Sequence, residues 1–83
     1  MSLLPDLLAA VEQQLASAQT PYVAKTLARL SKLGLPEDEA KSQIAICLGE
    51  ALDEMTKKHR GFDEKAYRDA LEALPMETED EVD

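Results

Sequence analysis

Residues 37–58, EDEAKSQIAICLGEALDEMTKK, carry the pattern on which the fold turns. Ala40, Ile44, Cys47, Leu48, Ala51 and Met55 recur at spacings of three and four. That is the period of one face of an α-helix, and no sustained alternation suggests a strand. Glu37, Asp38 and Glu39 open the stretch, and Lys57, Lys58 and Arg60 close it. Each cluster faces the end of the helix dipole that it stabilises. At about 100° per residue from Ile44, Ile46 lies near 200°, and Ala45, Gly49, Leu52 and Thr56 fall near 80–140°. The helix therefore has apolar or small residues on more than one face. A glycine within a helix costs ~1 kcal/mol relative to alanine. Gly49, with the small Ala45 four residues before it, predicts the close approach of another helix. Either the chain's own helices surround this one, or the Ile46/Gly49 side forms a seam with a second copy.

Helical segments flank this centre. On the upstream side, Gly34 predicts a left-handed helix stop. Thr20-Pro21 predicts a helix start, with the threonine hydroxyl as cap and proline in the first turn. Between them Val23, Leu27 and Leu30 form a stripe with Leu33 at its margin. A first helix over about 4–18 follows from Leu4, Leu7, Leu8, Val11, Leu15 and Ala18. Downstream, Gly61 is expected to turn the chain and Asp63 to cap a fourth helix. Phe62 and Tyr67 are placed to form a hydrophobic staple across that cap. Tyr67, Ala70, Leu71 and Leu74 supply the last stripe, and Pro75 ends it. The reading is all-α: a small four-helix bundle, orthogonal or antiparallel, in one domain over 1–75. A disordered acidic C-terminal tail is expected over 76–83.

The 83 residues carry 17 acidic and 9 basic side chains, for a formal charge of −8. Five of the acids lie in 76–83 without a base, so residues 1–75 hold 12 acids against 9 bases, about −3. Cys47 is the single cysteine, which excludes a disulfide scaffold. Lying on an apolar stripe near Glu50, Asp53 and Glu54, it reads as a small core hydrophobe rather than a nucleophile. His59 is the single histidine, in the basic run KKHRG over 57–61. No second histidine or cysteine stands at ligand spacing from it. No phosphate-binding glycine loop, nucleophile elbow or cofactor fingerprint occurs. The expectation is a protein that is not an enzyme, with no catalytic residues, cofactor, metal or small-molecule substrate. No apolar run is long enough to span a membrane, and no secretory leader pattern is visible, so a cytoplasmic location is expected.

One strip stands apart from the acidic average. Lys25, Arg29 and Lys32 lie opposite the Val23/Leu27/Leu30 stripe, and no acidic residue occurs between Pro21 and Leu33. It suits an acidic partner or residues 76–83. Direct nucleic-acid binding is not expected. Three cations neutralise few phosphates, and a recognition helix opening Glu37-Asp38-Glu39 would turn carboxylates toward the backbone.

Leu33-Gly34-Leu35, followed by Ala40 and Ile44, resembles the helix–loop–helix opening of ubiquitin-associated domains over about 25 residues. The resemblance implies a binding surface at Leu33, Gly34 and Leu35. This sequence departs from the family where its helical pattern runs unbroken to Met55. The functional expectation is a protein–protein interaction or regulatory module with an unknown partner, which could be a second copy. The candidate partner-binding residues are Lys25, Arg29, Lys32, Ile46 and Gly49. The alternatives are an acidic binder of basic partners through surface carboxylates and the tail, or a ubiquitin-associated-like module.

Overall fold

The computed structural model describes residues 4–59 and 61–75. Four α-helices account for most of them: α1 (Leu4–Leu15), α2 (Pro21–Lys32), α3 (Glu37–Lys58) and α4 (Glu64–Glu72). No strand occurs among the described residues. The acidic tail expected over 76–83 lies outside them.

Helix α3 is the axis of the bundle and packs against α1, α2 and α4. It buries Ala40, Ile44, Cys47, Leu48 and Ala51 on the expected stripe, and Ala45 and Gln43 beside it. Gly49 explains the second face. A Cβ built there would stand 3.0 Å from Leu7 Cδ1, so α1 crosses α3 where the side chain is missing. The close approach is filled within the chain. Gly49→Leu overpacks this crossing and should lower stability by ~1–3 kcal/mol. Gly49→Ala regains about 1 kcal/mol of helix propensity, which offsets the small shift asked of the half-buried Leu7. Urea unfolding of the two variants separates the outcomes.

The helix ends show which local signals survive. Gly34 adopts φ 100°. Its N–H donates to Ser31 O at 3.0 Å and that of Leu35 to Leu30 O at 3.1 Å, the paired bonds of a Schellman cap. Leu35 then packs onto the core. At α4, Asp63 Oδ1 accepts from Ala66 N at 3.0 Å. Phe62 meets Tyr67 edge-on with ring centroids 5.6 Å apart, as the staple pattern predicts.

Four local expectations change. Thr20 does not cap α2; its hydroxyl donates to Gln14 O at 2.9 Å and ties the end of α1 to the start of α2. The left-handed residue ending α3 is His59 (φ 52°, ψ 44°), before Gly61 is reached. Helix α1 stops at Leu15, where the bonds from Ala16 and Ser17 tighten to a 3₁₀-like turn, leaving Ala18 exposed. On α2 the most buried positions are Val23, Thr26 and Leu30, while Leu27 is half-buried and Leu33 is exposed. Thr26 is tolerated there because its hydroxyl donates to Tyr22 O at 2.8 Å.

Candidate functional site

Helix α4 has only nine residues, so its position depends on ties to its neighbours. Tyr67 is the largest fully buried side chain, at 1% exposure. Its hydroxyl donates to Gln14 Oε1 at 2.7 Å, which satisfies the one polar atom this ring carries inward. Tyr22 on α2 meets the Tyr67 ring at 6.0 Å and 79°, and donates to Glu64 Oε2 at 2.9 Å. The Arg68 guanidinium lies 5.3 Å from the centre of the Tyr22 ring, within cation–π range. Arg29 forks to the far end of α4: Nη1 donates to Leu74 O at 2.7 Å and Nη2 to Leu71 O at 2.8 Å. Leu71 O also accepts from Leu74 N at 3.1 Å in the closing turn, so the guanidinium adds a second donor there, supplies one to Leu74 O, and sets a cation at the negative end of the dipole.

Anchored this way, α4 leaves a groove on each side. The first, about 470 Å³, runs between α3 and α4. Its floor is Cys47, Ala51, Met55, Ala66, Tyr67 and Ala70, and its rim holds Glu50, Asp53, Glu54 and Asp63 against Lys58. Lys58 is paired with Glu54 at 3.1 Å, and nearby Lys57 with Asp53 at 3.1 Å. The groove is therefore apolar below and acidic above. Ala66 and Ala70, one turn apart on α4, are what keep it open.

Cys47 lies at its base. Burial, and secondarily the Glu50 carboxylate, push its thiol up to about 11 from an ordinary 9.0. Native Cys47 should react far more slowly with a thiol reagent at pH 8 than the urea-unfolded chain does. The linkage has a definite sign. Below 9.0 both states keep the proton, so the shift contributes nothing; between about 9 and about 11 only the unfolded chain loses it. Stability therefore falls with rising pH through that window. Tyr67 acts in the same direction, because burial also raises its phenol above the ordinary range. Urea midpoints of the reduced protein should drop between about pH 8 and about pH 10.5, and Cys47→Ala should remove part of the drop.

The second groove, between α2 and α4, is lined by Tyr22, Lys25, Arg29 and Arg68 with Glu64, Leu71 and Glu72. It contains part of the basic strip, but the strip divides. Lys25 and Lys32 are exposed, while Arg29 turns inward to hold α4. Sequence reasoning missed Arg68, which joins Lys25 across the groove. Its place depends on the docking of α4 against α2, which periodicity does not reveal. The Ile46/Gly49 pair also divides: Ile46 is 42% exposed, whereas Gly49 is covered by Leu7. In the Leu33-Gly34-Leu35 loop, Gly34 and Leu35 serve the helix cap and core, leaving Leu33 outward at 58% exposure.

Among the described residues no three His, Cys, Asp or Glu side chains gather as a metal site, and no helix is long and apolar enough to cross a membrane. Protein-family models, curated proteins and solved structures yield no match to this chain.

Proposed function

We propose that the chain is a non-catalytic protein-interaction module that seats a basic, amphipathic segment of a partner protein in the α3/α4 groove. One observation carries the reading: an apolar floor bordered by four carboxylates and one lysine, itself already paired. An amphipathic helix with cations flanking its apolar face matches that profile. The apolar side chains supply affinity, and the rim supplies orientation and a fast approach. The protonated thiol of Cys47 fits a packing role at the groove floor better than nucleophilic chemistry, and a reducing cytoplasm would keep it free.

A cationic amphipathic model helix of leucine and lysine tests the idea by fluorescence anisotropy. Ala66→Arg fills the groove and places a cation among its carboxylates, and should weaken binding at least about tenfold, or ~1.4 kcal/mol. Lys25→Glu, on the other side of α4, should leave the affinity unchanged or slightly improved. Equal affinity of Ala66→Arg and the parent would remove the groove from the account.

Self-association is the second reading, favoured by the exposed Ile46 on the central helix. A dimer using that side chain should fall to monomer mass on Ile46→Glu. A monomer at high micromolar concentration before substitution would dispose of this reading.

A further inference from the structure

The lysine and arginine side chains of the described residues fall into two groups. Lys41, Lys57, Lys58 and Lys65 each lie within ion-pair distance of a carboxylate, at 2.6–3.1 Å. Lys25, Arg29, Lys32 and Arg68 pair with no described carboxylate. All four belong to α2 or to the α4 side that faces it. The groove's own carboxylates do not neutralise them. Glu64 accepts from Tyr22, and neither it nor Glu72 forms an ion pair with these cations.

The chain leaves α4 beside this cluster. Arg29 holds the carbonyl of Leu74, and Pro75 is the last described residue. Residues 76–83, METEDEVD, follow directly, with Glu77, Glu79, Asp80, Glu81 and Asp83 and no base. Eight residues can reach about 26 Å. Lys25 and Lys32 are only about 10 Å apart along the axis of α2. Charge, reach and point of departure agree. We infer that the chain's own acidic segment 76–83 docks on the α2/α4 face, with its carboxylates set against Lys25, Lys32 and Arg68 and the outer side of Arg29.

Each contact is weak and solvated, but the segment is tethered, so its effective concentration at the face is in the millimolar range. The docked segment covers the basic strip against other acidic molecules. It leaves the acidic α3/α4 groove on the opposite side of α4 free. The inference therefore stands or falls independently of the proposed function.

A nitroxide on Val82→Cys in a Cys47→Ala background, read by paramagnetic broadening of amide signals in the full chain, tests it. Loss of signal should concentrate on residues 21–32 and around Arg68. It should vanish in about 0.5 M salt, where the screening length is only about 4 Å. Lys25→Glu with Lys32→Glu should also abolish it; both side chains are exposed, so these changes leave the fold intact. Arg29 is kept because it holds α4. Broadening spread evenly over the surface, or centred on the α3/α4 groove, would overturn the inference. So would broadening that appears only when spin-labelled chain is mixed with isotope-labelled chain, since the occupant would then be a second copy. Should Cys47→Ala unfold the protein, the parent chain can be compared with a chain whose five tail acids are changed to Gln or Asn. Amide shifts at Lys25, Lys32 and Arg68 should differ between the two, and unchanged shifts would refute docking.

Discussion

Tyr67→Ala should be the most destabilising single substitution in the chain and lower its urea midpoint sharply. Tyr67 is fully buried, and truncating a buried aromatic side chain costs ~3–5 kcal/mol. A domain of this size has roughly 4–12 kcal/mol in total. The loss also removes the edge contacts to Tyr22 and Phe62 and the donor to Gln14 Oε1. Each of those groups belongs to a different element, so one substitution loosens α1, α2 and the α4 start together. Tyr67→Phe isolates the polar part. It keeps both ring contacts, leaves the half-buried Gln14 amide without its donor, and should cost ~0.5–1.5 kcal/mol. Urea unfolding followed by circular dichroism measures both. A Tyr67→Ala midpoint close to that of the parent would show that the aromatic cluster is not what holds α4.

Arg29→Met should be the next most damaging change among the polar residues. Methionine keeps most of the apolar stem but loses two charge-assisted donors to Leu71 O and Leu74 O, at a cost of ~2–3 kcal/mol. The damage should be local at first. Amides of α4 should exchange faster with solvent, while those in the middle of α3 keep their protection until global unfolding. Arg29→Lys should recover less than half of the loss, because an ammonium cannot fork to two carbonyls in fixed geometry. Lys25→Met, four residues earlier on the exposed side of α2, should shift stability by no more than about 0.5 kcal/mol. Equal effects at the two positions would reduce Arg29 to a surface cation.

The contrast between Arg29 and Lys25 marks where the sequence stops being legible. Both lie on the polar side of a stripe, at i and i+4, and periodicity treats them alike. They differ because α4 ends beside Arg29, a contact with residues 42 and 45 positions away. Thr20 is a shorter-range case: its hydroxyl turns to Gln14 O, across the α1–α2 turn, instead of facing the N–H groups that open α2. His59 shows a different blind spot. A non-glycine residue can end a helix in the left-handed region, and a nearby Gly61 draws attention away from it.

What periodicity and local chemistry alone decide is clearly readable. The bounds of α3, its crowded charges at both ends, the Gly34 stop, and the Asp63 cap with its Phe62–Tyr67 staple all lie within a few residues of their causes. Gly49 was legible as a close approach, but not which helix would make it; Leu7 settles that only in three dimensions. The α3/α4 groove was not legible. In the sequence Glu50, Asp53 and Glu54 read only as neighbours disfavouring a Cys47 thiolate, Ala70 only as part of the α4 stripe, and Ala66 is not singled out. Their juxtaposition across a cleft depends on how α4 docks, which periodicity leaves open.

The proposed function rests on the acidic-rimmed α3/α4 groove, and mapping the landing site of a cationic amphipathic helix on the isotope-labelled chain tests it most directly. Amide shifts should cluster at Glu50, Ala51, Met55, Ala66 and Ala70, and shrink in high salt and in Ala66→Arg. Shifts confined to α1 and α2, or none at concentrations where the peptide remains helical and monomeric, would contradict it.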